Sequence, residues 1–254
     1  MSAAGAILEA QGLVKRFGAV AAADDVSVSV APGARLSLIG ANGAGKTTFM
    51  NIVTGYLKPD RGRVLLGGED VTRLGPRRIA RRGVCRSFQI PQIVEPMTAQ
   101  ENLMVAIGAS GRRFGAMRPA HDGVHEAEAE AILARFGLDA YASRVVSELP
   151  GGVRKLLDIA MATVRAPVVL LLDEPTSGVS VEEKFPLMDT VMAALPPEVT
   201  VIFVEHDMDI VTRYSDRVLA FYQGRVIADD PPEAVLSDPD VQRYVTGTAG
   251  TRAA

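Results

Sequence analysis

Apolar residues recur along this chain with two different periods. Between residues 7 and 38 they form short β-type runs, in which Val26, Val28 and Val30 alternate with polar neighbours and turns fall at Gly18 and Pro32-Gly33. Residues 36–39 make a compact apolar strand, a helix is predicted over about 47–55, and strand character returns over 63–66 before the Gly67-Gly68 turn. The stretch from 98 to about 141 reads helical, with a Gly/Arg-rich interruption over 108–115. Unbroken apolar strands (168–172, 199–204) then alternate with helical stretches (181–194, 208–214), the pattern of a parallel sheet with crossover helices. Residues 216–228 read as a hairpin turning at Gln223-Gly224, short helical pieces start near Pro231, and 248–254 reads as a flexible tail. The pattern defines an α/β chain whose helices are concentrated between β-rich flanks.

Composition narrows the class. With 254 residues and 48% hydrophobic content, the chain holds one large domain, or a domain with a small subdomain, around a sizeable core. A net charge of −3 gives no electrostatic reason to expect nucleic acid as a partner, and the cluster Arg77, Arg78, Arg81, Arg82 reads as a solvated helix face. The one cysteine, Cys85, excludes an internal disulfide and reads as a small buried hydrophobe. The first residues lack a basic region and meet Glu9, so they make a poor signal peptide. Apolar runs stop far short of the roughly 20 residues that span a bilayer, so a membrane role would come through a partner.

Candidate chemistry begins at Gly40-Ala-Asn-Gly-Ala-Gly-Lys-Thr47, which follows the 36–39 strand and opens a helix. Glycines let such a loop curl until successive N–H groups point inward, and the following helix presents its positive end to the same spot. Backbone from Asn42, Gly43, Ala44 and Gly45 would cradle phosphates together with Lys46, Thr47 and Thr48, Lys46 reaching the β- and γ-phosphates and Thr47 a Mg²⁺ ion. The chain is read as a nucleoside triphosphate binder. A second element strengthens that reading: the apolar run 169–172 ends in Asp173-Glu174-Pro175, two carboxylates at the end of a strand where α/β sheets place their sites. Asp173 would hold Mg²⁺, and Glu174 would orient and polarise the attacking water. A third, Phe203-Val-Glu-His206-Asp207, sets His206 at another strand end, within reach of the γ-phosphate or the water.

In this order the motifs resemble the ATP-binding subunits of ABC transporters over roughly residues 8–247. That resemblance implies a P-loop NTPase (RecA-like) core over 6–95 and 165–247. The core has a mostly parallel sheet and an antiparallel β subdomain, and residues 96–164 form an inserted α-helical subdomain. It implies that Phe17 stacks on adenine and that Gln89 touches Mg²⁺ or water and couples to a membrane partner. Residues 95–103 would open the helical subdomain and line the partner's groove. The family's signature, normally Leu-Ser-Gly-Gly-Gln, would be Leu149, Pro150, Gly151, Gly152 and Val153, facing the nucleotide of a second subunit and followed by a helix-like stretch over 154–163.

The chain departs from the family pattern at Pro150, which has neither hydroxyl nor N–H, and at Ser180, where an aspartate is usual. Those departures imply an asymmetric pair with a second, different ATPase subunit. Phrases such as Val204-Glu-His-Asp-Met208 and 238–247 resemble importers of branched-chain amino acids, urea and amides. Such importers have two permease subunits and a solute-binding protein, with the ATPase at the cytoplasmic face of the inner membrane. A lipopolysaccharide-type export ATPase, a non-transport ABC ATPase and a low-turnover regulatory subunit stand as alternatives.

Overall fold

The alternation over residues 7–38 becomes a hairpin of β1 (Leu8–Phe17) and β2 (Val20–Val30), in which Leu8, Leu13, Val26, Val28 and Val30 turn inward. A computed structural model describes residues 5–110 and 123–247 of the chain. On the far side of β1, β4 (Arg61–Leu66) and then β5 (Glu69–Asp70) complete a four-stranded antiparallel sheet in the order β2-β1-β4-β5.

The apolar runs build a second sheet from β3 (Arg35–Ile39), β6 (Val84–Arg86), β7 (Val169–Asp173), β8 (Thr200–Val204), β9 (Arg217–Tyr222) and β10 (Arg225–Asp230). Its order is β10-β9-β3-β8-β7-β6, with β10 antiparallel and the other five strands parallel. Strands buried on both faces need no polar alternation, and β7 and β8 are buried at all positions. Leu170, Leu172, Val201 and Phe203 point to one face and Val169, Leu171, Ile202 and Val204 to the other.

The first face is covered by α3 (Ala99–Ser110), α4 (Gly123–Arg135), α5 (Gly151–Thr163) and α6 (Val181–Ala194), which share one apolar cluster with it. The second packs on α1 (Lys46–Val53) and on the four-stranded sheet. The remaining α-helices among the described residues are α2 (Pro76–Arg81), α7 (Met208–Tyr214), α8 (Pro232–Ser237) and α9 (Pro239–Val241). Among the described residues no helix is long and apolar enough to cross a membrane.

Several expected boundaries move, each for a local reason. α1 starts at Lys46, because Gly45 at φ 113 turns the chain into the helix one residue early. α5 starts at Gly151 rather than 154: Pro150, at φ −54 and ψ 152, sits as its N-cap, and both signature glycines enter the first turn. Val168 and Val199 precede their strands; Val168 spends its N–H on the Gly83 carbonyl (2.8 Å) and the residue is 40% exposed. The Gly/Arg-rich interruption begins later than expected, since α3 continues through Gly108 to Ser110; its remainder, like the 248–254 tail, lies outside the described residues. Arg77, Arg78, Arg81 and Arg82 are exposed around the buried Ile79, and Cys85 is buried, as read.

The β9–β10 hairpin turns on Gln223 (φ 47) and Gly224 (φ 80), the two positive φ values of a two-residue turn matched to strand twist. Gly224 donates to the Ala44 carbonyl (2.9 Å) and accepts from the Asp24 amide (2.8 Å), while Arg225 pairs with Asp24 at 2.6 Å.

Candidate functional site

Between β3 and α1 the chain turns through Gly40 (φ 149), Gly43 (φ 79) and Gly45 (φ 113). A Cβ on Gly40 would lie 2.5 Å from the Phe221 carbonyl and one on Gly45 would lie 2.6 Å from that of Ala22, so neighbouring backbone admits only glycine there. Gly43 meets nothing within 4 Å on its Cβ side, and Asn42 is exposed beside it. Ala44 is buried, Thr48 half-buried and Thr47 exposed on the first turn of α1. That turn has no side-chain cap and no acidic residue, so its N–H groups and positive dipole end are free to receive an anion.

Lys46 is 6% exposed and donates to the carbonyls of Gly40 (2.5 Å) and Ala41 (3.1 Å). Burial lowers the pKa of its ammonium, and the nearby Glu174 and Asp173 carboxylates oppose that shift. A phosphate near the loop would meet one lysine charge and the uncapped amides together.

At the end of β7, Asp173 is 8% exposed and accepts from Arg86 Nη2 at 2.5 Å. The next residue, Glu174, turns into the left-handed region at φ 47, its N–H donating to the Val204 carbonyl (3.1 Å). Strain of this kind costs on the order of 1–3 kcal/mol and persists only where its surroundings enforce it. Here the carboxylate is aimed between two side chains: Gln89 Nε2 donates to Oε2 at 2.8 Å and His206 Nε2 lies 3.2 Å from Oε1. Gln89 follows β6 and His206 follows β8, the two neighbours of β7 in the sheet, so parallel pairing delivers all three groups to one edge. Glu174 and His206 line an open polar cavity of about 600 Å³ with Thr176, Ser177, Lys184 and Asp207.

Four side chains that the sequence reading passed over support this edge. Buried Glu205 accepts from the Thr176 amide (2.9 Å) and hydroxyl (2.7 Å), tying the segments after β7 and β8 together. Asp158 on α5 accepts from the amides of Phe88 (3.3 Å) and Gln92 (2.8 Å), and Lys155 donates to the carbonyls of Phe88 (3.3 Å) and Gln89 (2.8 Å). Burial raises the pKa of the Asp158 carboxyl and lowers that of the Lys155 ammonium. Arg86, at the end of β6, is the fourth. Charged residues on the apolar stripe of a helix, or at the end of an otherwise buried strand, were the available signal.

Phe17 closes β1 with 54% of its surface exposed, and β2 passes over Gly45 at Ala22, so the same hairpin overhangs the phosphate loop. The signature segment stands elsewhere. Leu149 is buried, Val153 packs on the helical cluster, and Gly151 and Gly152 lie against Gly178, Val179 and Glu183. Among the described residues none of the five hydrogen-bonds the phosphate loop.

A loop of uncapped amides with a buried lysine, beside two carboxylates on a parallel sheet, defines a nucleotide-binding ATPase of the P-loop class. The ABC transporter family model matches residues 23–177, and the chain belongs to that family, in which it is an ATP-binding cassette. It is 37% identical over 254 residues to the high-affinity branched-chain amino acid transport ATP-binding protein LivG of Escherichia coli, covering 96% of this chain and 98% of LivG. Against BraF of Pseudomonas aeruginosa, of the same description, identity is 37% over 252 residues, covering 96% and 98%. The ADP conformation of MJ1267, an ATP-binding cassette of an ABC transporter, superposes with a TM-score of 0.84 at 33% identity, covering 94% of this chain and 97% of MJ1267.

Proposed function

We propose that this chain binds and hydrolyses ATP to power an ABC importer for branched-chain amino acids or related amides, as one half of an asymmetric ATPase pair. The observation that carries the hydrolytic part is the clasp on Glu174, a strained carboxylate held by Gln89 and His206 beside the phosphate loop. Near-full-length similarity to LivG and BraF supports the importer branch and the solute class.

In this reading the amides of residues 42–48 and the Lys46 ammonium hold the triphosphate, with Phe17 against the adenine. Glu174 orients the attacking water and takes its proton, while Gln89 and His206 fix the carboxylate's two oxygens. The donor set suits Mg²⁺: Asp173 and the exposed Thr47 hydroxyl offer hard oxygen ligands, with Gln89 close to Glu174. Among the described residues no cluster of three or more His, Cys, Asp or Glu forms, so phosphate and water would complete the shell. Bound there, Mg²⁺ neutralises charge on the phosphates.

Pro150 supports the asymmetry. Its ring nitrogen carries no hydrogen and its side chain no hydroxyl, so the Gly151 and Gly152 amides and the α5 dipole are the remaining donors toward a partner's nucleotide. A second, different ATPase subunit with an intact signature would face this chain's site, and this chain's signature would cover that subunit's nucleotide. Residues 96–164 act as the helical unit facing two permeases at the cytoplasmic side of the inner membrane, which also engage a solute-binding protein.

The test is Glu174→Gln. It should keep ATP binding, slow turnover by about 10²- to 10⁴-fold, and trap a closed complex that co-purifies from membranes with permeases and a second ATPase. Normal phosphate release in this variant would remove Glu174 from its role, and capture of soluble partners alone would remove transport.

A further inference from the structure

Arg86 touches two places at once. Its side chain is only 6% exposed; Nη2 donates to Asp173 Oδ2 at 2.5 Å and Nη1 to Asn51 Oδ1 at 2.6 Å. Nε is buried and has no acceptor among the described residues, so two of the guanidinium's edges hold it in place. Its guanidinium carbon lies over the Phe88 ring, 5.2 Å from the ring centre, and Phe88 meets Tyr56 edge-on, with centroids 6.0 Å apart and planes at 87°. Arg86, Phe88 and Tyr56 all line a groove of about 420 Å³ between the sheet edge and the helices, together with Ala106, Met161 and Arg165. Tyr56 itself is 58% exposed.

We propose that Arg86 is a positioning residue that competes with the metal for Asp173 and links that carboxylate, through Phe88 and Tyr56, to the groove. The inference rests on Asp173 being the metal-binding carboxylate of the ATP site. Two cations cannot share one buried carboxylate without repulsion in a poorly screened site. A metal drawn to Asp173 therefore pushes the guanidinium toward its remaining partners, Asn51 and the Phe88 face. The Phe88 main chain is anchored by Asp158 and Lys155, so its ring, and Tyr56 against it, take up the displacement.

The chain contains no tryptophan, so Tyr56→Trp places a single reporter in the groove. In a Glu174→Gln background saturated with ATP, Mg²⁺ is titrated while Trp emission and Mg²⁺ binding by calorimetry are followed, with ATP binding measured separately in EDTA. The reporter's emission should change as Mg²⁺ binds. Adding Arg86→Met should abolish that change and tighten Mg²⁺ by roughly tenfold, the scale of one lost charge-assisted hydrogen bond. Arg86→Lys, which keeps the charge, should hold Mg²⁺ affinity near the parent value. Phe88→Leu should silence the reporter while Mg²⁺ still binds, and it decides the matter if Arg86→Met does not fold.

A reporter that is silent in the ATP-bound parent overturns the relay, as does Mg²⁺ affinity that is unchanged or weaker in a folded Arg86→Met. If the parent binds no ATP in EDTA or Mg²⁺, the nucleotide-site assignment has failed first and the relay falls with it.

Discussion

Glu174 occupies backbone space that suits glycine, and the cost is visible at the level of one residue. Left-handed φ costs a non-glycine residue about 1–2 kcal/mol, and the Gln89 and His206 contacts that accompany it sit in a partly exposed cavity where hydrogen bonds add little net stability. Glu174→Gly should therefore melt no lower than the parent, and as much as 2–4 °C higher on the usual scale for a chain of this size, while losing turnover. A clear drop in melting temperature would mean that the clasp stabilises the fold rather than storing strain. Lys46, Asp173, Glu174 and His206 were legible from sequence because glycine spacing and strand-end polarity are local signals. Arg86 was not, since its partner Asp173 is 87 positions away and is brought near only by the pairing of β6 with β7.

At the scale of an element, α7 shows how a short helix is held in place after His206. Asp207 is its N-cap, accepting from the Asp209 amide at 3.1 Å, and pairs with Lys184 of α6 at 2.9 Å. The Lys184 hydrogen bond holds the Asp207 carboxyl below the usual carboxylate range. A depressed acid contributes stability above its unfolded pKa and loses it as pH falls through the folded value. Asp207→Asn should thus cost about 1 kcal/mol or less at neutral pH, since the pair is part-exposed and asparagine still caps. The difference from the parent should begin to shrink near about pH 4 and vanish only once pH has fallen through the lower folded value. A gap that persisted at low pH would place the effect in packing. Both crossover helices α6 and α7 were legible from periodicity, whereas the early start of α5 was not: two glycines after a proline read as loop until the packing against Gly178 and Val179 allows them into a helical turn.

For the whole molecule, the mostly parallel sheet follows from apolar runs alternating with helices, but its strand order, and with it the edge that carries chemistry, depends on neighbours that sequence distance hides. The asymmetry of the assembly is open to direct test through Pro150. Pro150→Ser restores a hydroxyl toward the partner's phosphate and a better N-cap for α5. Turnover of the isolated chain should rise by about tenfold or more if that hydrogen bond acts in the transition state, and stability should rise by about 1 kcal/mol. Stability gained without turnover would place the asymmetry elsewhere than in the signature.

The turn at Gln223-Gly224 adds a constraint in time. Its amide holds the carbonyl of Ala44 and its carbonyl holds the amide of Asp24, so the last hairpin braces the loop between β3 and α1. A growing chain leaves the ribosome with its phosphate loop written early and braced only when the final strands emerge. Until then the loop lacks the two backbone contacts that the hairpin supplies.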